Sequence, residues 1–360
     1  MLSTKERKSL MIKETTLPAH MEKLIKDNDM VAVKEVFEQC EWNARGGYSK
    51  GTALSFRHIS DELVRWLVEQ GADINARDNY QRTPLHAHAS HWSGNVALFL
   101  ELGADLEAVD YQNETPLHAA VNAYRTEVVQ ELVARGADIN VVNQRGNTPL
   151  AKGLMNSRNS DIVSMSKISA ILLDAGATVT PEMKESVKRI GKDFEFVREK
   201  FNKDKVDEVS DALSKLYQQF DVEPVASRMM HDGTAPIQVK ATTWPKQHQE
   251  LWEYLIPAQG HAQTVQGEVI RITGRVSHEV LDNGGGNWDE PYRNMLDALI
   301  RHLGSGTPLA PALLQEATDL AHRLRHGSNY DAPARLSELA VLWVLDNPQP
   351  IAMEKPEYTR

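Results

Sequence analysis

Apolar positions in the first two hundred residues come in pairs of short helical runs, separated by polar, turn-forming residues. In one such block Val128, Val129, Leu132 and Val133 fall at helical spacing. Gly136 comes next, where a helix C-terminus favours a residue that tolerates positive φ. The block's first run begins at Thr115-Pro116-Leu117. A Thr hydroxyl caps a helix N-terminus, Pro is pre-set for the first helical position, and Leu starts the buried stripe. Past about residue 203 this rhythm stops. Val206, Val209, Leu213, Leu216 and Phe220 predict a helix over 205–220, ended by Pro224, which packs on the end of the repeated region or bridges two domains. Residues 225–243 read as loop with a short extended piece. From Pro245 the pattern is helical again. Val265, Val269, Ile272, Val276 and Val280 form one stripe, and Gly267, Ile270, Gly274 and Ser277 a second face of mostly small residues. A helix apolar on two faces belongs at the centre of a domain. Asn283-Gly284-Gly285-Gly286-Asn287 ends it, and 291–303, 311–325 and 333–345 predict three more helices, giving a compact all-α domain of about five.

The early blocks repeat in register. Thr83-Pro84-Leu85-His86 returns as Thr115-Pro116-Leu117-His118 and Thr148-Pro149-Leu150-Ala151, while Gly71-Ala72-Asp73-Ile74-Asn75 returns from Gly103 and from Gly136, both at periods of 32 and 33 residues. Two interleaved phrases at this period resemble the ankyrin family. The resemblance implies an all-α fold: an ankyrin-repeat solenoid, helix pairs with short β-hairpin turns, succeeded by the helical domain. Weaker copies extend the array, one opening at Gly51-Thr52-Ala53-Leu54, with a helix pair from His20 to Cys40 as N-terminal cap and a polar helix from Thr180-Pro181 at the other end. The expected division is a flexible N-terminus over 1–18, about five repeats with terminal caps over 19–202, bridging helix and linker over 203–243, the helical domain over 244–350 and a tail over 351–360. The family's hairpin glycine is replaced by Gln81 and Asn113 and kept only as Gly146; Trp92 stands where the family turns on glycine, and His88 replaces a small residue. The second half is similar to a segment of bacterial proteins, some of which carry ankyrin repeats, and that similarity implies no activity.

Composition adds limits. The 360 residues are 41% hydrophobic and 25% charged, with net charge -10, which opposes bare nucleic acid or an anionic membrane unless a basic patch overrides the average. No such patch stands out along the chain. The single cysteine, Cys40, excludes an intrachain disulfide and reads as a packing residue at the end of the capping helix. The charged opening Met1-Leu2-Ser3-Thr4-Lys5 is unlike a secretory signal, and the longest apolar run, 339–345, falls far short of the roughly 20 residues that cross a bilayer. The expected address is cytoplasmic.

Several groups carry chemistry on paper. His86, His88, His91 and His118 lie close in a folded array, but no Cys or carboxylate completes a tetrahedral set, so His86 and His118 read as structural histidines of the repeat phrase. His322 and His326 share a helix face without the Glu of a zinc helix. The glycine run before Trp288 ends a helix, whose negative pole repels anions, so it reads as a helix stop that lets Trp288 fold back. Glu268, Arg271, Arg275 and Glu279 make either an intrahelical ion-pair ladder at the domain surface or a polar site in a cleft. No catalytic triad or carboxylate pair appears. Neither catalytic residue, metal nor cofactor is expected.

The ankyrin resemblance places the variable, partner-facing positions at hairpin tips and on the inward face of first helices. Carried over unit by unit, these are Arg77, Asn79, Tyr80 and Arg82; Val109, Tyr111, Gln112 and Glu114; Gln144, Arg145 and Asn147; with Ser90, His91, Asn122 and Met155 from first helices. Tyr and Arg most often dominate interfaces, so Tyr80, Tyr111 and Arg145 form the expected centre. The implied function is protein binding through the concave face, with an immunity or antitoxin-like inhibitor as its specific version. The alternatives are an enzyme in the second half whose substrate the repeats recruit, and an adaptor in which each half binds a different protein.

Overall fold

The computed structural model describes residues 13–326 and 331–358, with the side chain of His326 outside the description. The chain divides into two compact units: Met1–Phe194 with Asn202–Val225, and Glu195–Phe201 with Ala226–Arg360.

The first unit is a stack of helix pairs. It opens with β1 (Glu14–Thr16), which pairs in parallel with β2 (Cys40–Arg45). Leu17 is buried beyond it and donates its backbone N–H to the Arg45 carbonyl at 2.9 Å. The expected flexible stretch 1–18 is therefore structured from Glu14. Between the strands lie α1 (Met21–Lys26) and α2 (Met30–Gln39), the N-terminal pair. Cys40 begins β2 rather than ending the helix; it is buried, and its thiol points to the Thr16 carbonyl at 3.6 Å.

A single 3-10 turn, Ala53–Ser55, stands in for the first helix of the next unit, whose second helix is α3 (Asp61–Glu69). Three full pairs come next: α4 (Pro84–Ser90) with α5 (Val96–Glu101), α6 (Pro116–Asn122) with α7 (Thr126–Ala134), and α8 (Pro149–Asn156) with α9 (Ile162–Asp174). Proline occupies the start of α4, α6 and α8, as the repeat phrase requires. First helices stack on first helices, α4 on α6 on α8. α8 meets α6 at Gly153, where a Cβ would lie 2.6 Å from Val121 Cγ1.

The array ends later than expected. α10 (Pro181–Val197) and α11 (Val206–Gln219) form a last pair, and α11 packs on α9 as α9 packs on α7. Val209, Leu213, Leu216 and Phe220 are buried in this contact. The predicted bridging helix is thus the second helix of the terminal pair, and the repeat unit runs to Val225 instead of 202.

The second unit is a bundle of α12 (Trp244–Leu255), α13 (Val265–Leu281), α14 (Glu290–Leu303), α15 (Pro311–His326) and α16 (Ala332–Asp346). α13 touches α12, α14 and α16. Its second face is small for a reason: a Cβ at Gly274 would lie 2.3 Å from the Trp252 ring, and one at Gly267 2.7 Å from Ala262 Cβ. The segment expected as a tail is part of this core. Val265 and Met353 donate backbone N–H groups to the carbonyls of Ile351 and Gln263, and Tyr358 is buried. Gln266, fully buried, donates to the Asn347 and Gln349 carbonyls and accepts from the Ile351 N–H, so the strap after α16 is bound at both its edges.

Candidate functional site: the hairpin face of the repeats

Four hairpins project from the first unit. Each is closed by one backbone bond: Gly46 to Gly51 at 2.8 Å, Asp78 to Arg82 at 2.9 Å, Asp110 to Glu114 at 3.0 Å and Asn143 to Asn147 at 3.0 Å. Successive tips are laced together, Asn79 N–H to the Ser49 carbonyl, Tyr111 to Tyr80 and Gln144 to Gln112. The position expected for glycine is left-handed in all three later hairpins, with φ of 61° at Gln81, 58° at Asn113 and 76° at Gly146. Gln81 adopts this costly conformation because its neighbours fix the turn. Asp78 Oδ1 accepts from the N–H groups of Tyr80 and Arg82, Asp110 Oδ1 from Gln112 and Glu114, and Asn143 Oδ1 from Arg145 and Asn147. Reading the sequence for partner-facing residues misses these three organisers, although their even spacing and side-chain type mark an Asx turn.

A second ladder runs behind the tips. The side-chain oxygens of Asn43, Asn75 and Asn140 accept from the backbone N–H groups of Asp73, Asp105 and Thr178, and Glu107 does the same for Asp138. Asn43 thus occupies the repeat position of Asn75, which makes the N-terminal helix pair a degenerate repeat and not only a cap.

The histidines divide by role. His86 and His118 accept at Nδ1 from the N–H groups of Thr83 and Thr115, so each Nε2 donates, to the carbonyls of Glu114 and Asn147 in the following repeat at 2.9 and 3.1 Å. Burial holds both rings below their ordinary pKa against the opposing pull of those carbonyls. His88 is buried, donates from Nε2 to the Leu54 carbonyl at 2.9 Å and lies flat on Phe99 at 4.3 Å. Burial lowers its pKa to about 4. The family pattern places His91 on the inward face of a first helix. The structure instead puts it, half-buried, at the C-cap of α4, in a ring cluster with the exposed His58 and Trp92.

The expected partner residues separate into two groups. Tyr111, Gln112, Glu114, Asn122, Gln144, Arg145, Asn147 and Met155 line one depression of about 430 Å³, together with Asn143, Lys152 and Asn156. Tyr111 is 51% and Met155 45% exposed there. Glu114 is no free tip: it is buried, accepts from Asn143 Nδ2 at 3.0 Å and forms an ion pair with Lys152 on the floor. Asn122 accepts from Asn156 Nδ2 at 2.6 Å, so the two ends of α6 and α8 are tied. Asn147 serves mainly through its backbone, which holds the hairpin and receives His118.

Arg77, Asn79, Tyr80, Arg82 and Val109 sit on the neighbouring tips outside this depression. Tyr80 lies 5.9 Å from the Tyr111 ring, and the Arg82 guanidinium stands 4.9 Å from the Tyr80 ring while pairing with Asp78. Val109 contributes its carbonyl, which accepts from Arg77. Ser90 is exposed and returns its hydroxyl to the Ala87 carbonyl of its own helix at 3.1 Å.

The polar group of the second unit is not a surface ladder. Glu268 and Arg271 are buried and paired through both oxygens, at 2.6 and 2.9 Å, while Tyr358 donates to Glu268 at 2.6 Å and the Ala262 N–H at 3.1 Å. Burial alone would raise the Glu268 pKa; Arg271 and Tyr358 outweigh it and hold the carboxyl below its ordinary range. Burial and then Glu268 push the Tyr358 hydroxyl well up. Glu279, also buried, organises the glycine-rich loop by accepting from the Asn287 N–H at 2.6 Å and Asn283 Nδ2 at 3.2 Å. Arg275 is half-buried. Trp288 stacks on Tyr292 at 5.3 Å and packs on the core. His322 is exposed, and the side chain of His326 lies outside the described residues. Among the described residues no helix is long and apolar enough to cross a membrane.

Helix pairs at a fixed period, hairpins all laced in one direction and Thr–His boxes linking neighbours define a repeat-solenoid scaffold. The family of ankyrin repeats in three copies matches residues 52–143 and 95–179. Residues 52–179 are ankyrin repeats, and this part of the chain is a protein–protein interaction module. A solved ankyrin repeat domain from Acinetobacter baumannii AYE is 25% identical, with a TM-score of 0.40, over 54% of this chain and 96% of that one. No curated protein matches the chain significantly.

Proposed function

We propose that the concave surface around Tyr111 and Met155 holds a protein partner, with the tips from Tyr80 to Arg145 as its rim. The observation that supports this reading is the division of labour within each hairpin. Asp78, Asp110 and Asn143 build the turns, while Tyr111, Arg145 and Met155 project side chains that stacking does not use. Large side chains on a preformed surface give up little freedom on binding. A toxin held by an immunity-type inhibitor would be one partner of this kind. The alternative of catalysis in the second unit draws on Glu268, Arg271, Arg275 and Glu279; Glu268 and Arg271 there satisfy one another beneath Tyr358, which favours a structural role.

The test uses the full chain in an affinity capture from its host, beside Tyr111→Ala/Met155→Ala. Both positions are exposed, so the variant should melt within a degree or two of the parent. Loss of the captured protein from the variant is the expected result. Equal capture by both would reject this surface.

A further inference from the structure

The charge of the hairpin tips runs against that of the chain. Over 45–50, 77–82, 109–114 and 142–147 the cations are Arg45, Lys50, Arg77, Arg82 and Arg145, against the carboxylates Asp78, Asp110 and Glu114, in a protein of net charge -10. The fold gathers a basic face that is dispersed in the sequence. Its carboxylates are also turned inward: Asp78 pairs with Arg82, Asp110 accepts two backbone N–H groups and Glu114 pairs with Lys152.

The remaining cations are not neutralised. Arg45 Nη1 donates to the carbonyls of Lys50 and Arg77, and one repeat on, Arg77 Nη1 donates to those of Gln81 and Val109. Carbonyl oxygens hold these guanidinium groups in place without cancelling their charge. In each, Nε and the other amino group make no hydrogen bond within the described residues. Arg145 and Lys50 have no side-chain partner there. Beside these cations stand Tyr48, 93% exposed, and the Tyr80–Tyr111 pair.

We propose that the segment seated on this face is acidic and extended, with carboxylates meeting Arg45, Arg77 and Arg145 and an apolar or aromatic side chain against Tyr80 and Tyr111. The proposal rests on the partner reading above and adds its chemistry. A guanidinium already fixed by carbonyls presents a planar fork that matches a carboxylate with two parallel hydrogen bonds and little further loss of freedom. A short acidic segment feels the local field within a Debye length of about 8–10 Å, whereas a long polyanion also meets the repulsion of the remaining acidic surface.

The experiment titrates the full-length protein, by fluorescence anisotropy at 50 mM salt, with four labelled probes: a short glutamate–tyrosine copolymer, a short polyglutamate, a short polylysine and single-stranded dT20. The copolymer should bind tightest, polyglutamate more weakly and polylysine not at all on this face. Lys50→Gln/Arg145→Gln should weaken the copolymer about tenfold at unchanged melting temperature. Arg45→Lys/Arg77→Lys keeps the charge and removes the fork, and should weaken it severalfold as well. Binding of dT20 as tight as the copolymer would overturn the proposal in favour of a nucleic-acid face, and so would no binding of either acidic probe, or acidic binding unchanged in both variants. Those outcomes leave the uncharged Tyr111→Ala/Met155→Ala capture to decide the partner reading by itself.

Discussion

His86 donates from Nε2 to the carbonyl oxygen of Glu114, 2.9 Å away in the following repeat, while its Nδ1 accepts from Thr83 in its own. His118 repeats the arrangement between Thr115 and Asn147. Each ring therefore joins a helix N-terminus to the base of the next hairpin, and the repeat phrase is also the weld between repeats. His118→Ala removes a buried donor and leaves the Asn147 carbonyl with the Asn143 N–H alone. It should cost roughly 2–4 kcal/mol by chemical denaturation, from the lost bonds and the cavity together. Ser90→Ala, an exposed position on the same kind of helix, should cost less than about 0.5 kcal/mol. Equal losses at the two sites would remove the weld from the account.

Periodicity made the repeat legible because Thr-Pro-Leu-His and Gly-Ala-Asp are each committed to a backbone task that recurs. Where the same task is done by other residues the trace fades. The N-terminal repeat keeps Asn43 and Arg45 in register with Asn75 and Arg77, but has Gln39-Cys40-Glu41 where Gly-Ala-Asp would stand. The terminal pair α10–α11 keeps only Thr180-Pro181 of the first phrase, and α11 carries none of either, so Leu213 and Phe220 read equally well as a bridge. The basic tip face was hidden for a different reason: Arg45, Arg77 and Arg145 are far apart in sequence and come onto one row of tips only when hairpins stack.

The stacking of α11 on α9 predicts where the repeat unit can be cut. A chain ending after Val225 retains the whole terminal pair and should fold, with a helical circular-dichroism spectrum and one cooperative transition. A chain ending near Lys205 bares the α9 surface that Val209, Leu213, Leu216 and Phe220 cover. Burial of such side chains contributes about 1.5–3 kcal/mol each, so the shorter chain should melt far lower or aggregate. Identical melting of the two would mean that α11 adds nothing to the array.

In the second unit Tyr358 closes the Glu268–Arg271 pair from the C-terminal strap. Tyr358→Phe keeps the ring and removes one charge-assisted hydrogen bond, leaving a buried carboxylate short of a partner. The expected loss is about 1.5–3 kcal/mol. Glu268→Gln in the same background should show strong non-additivity, since both changes dismantle one network. Additive losses, measured in a double-mutant cycle, would separate the tyrosine from the ion pair.

His88 sets an acid limit on the repeats. Its folded pKa of about 4 lies below the ordinary value of 6.5, because burial against Phe99 excludes the charged ring. The unfolded chain therefore binds a proton more readily than the folded one between those values. The contribution of the neutral ring is fully present above pH 6.5 and is lost as the pH falls towards 4. His86 and His118 are shifted in the same direction, so acid weakens neighbouring repeats together. His88→Gln keeps a donor for the Leu54 carbonyl without the titration. Near neutral pH the variant should be less stable, from the lost stacking on Phe99. By pH 5 the parent's advantage should shrink by roughly 2 kcal/mol, the linkage expected for one ring with this shift. Denaturation curves for both proteins at pH 7 and pH 5 measure it. A gap that stays constant, or widens on acidification, would mean that His88 already carries its proton in the folded repeat.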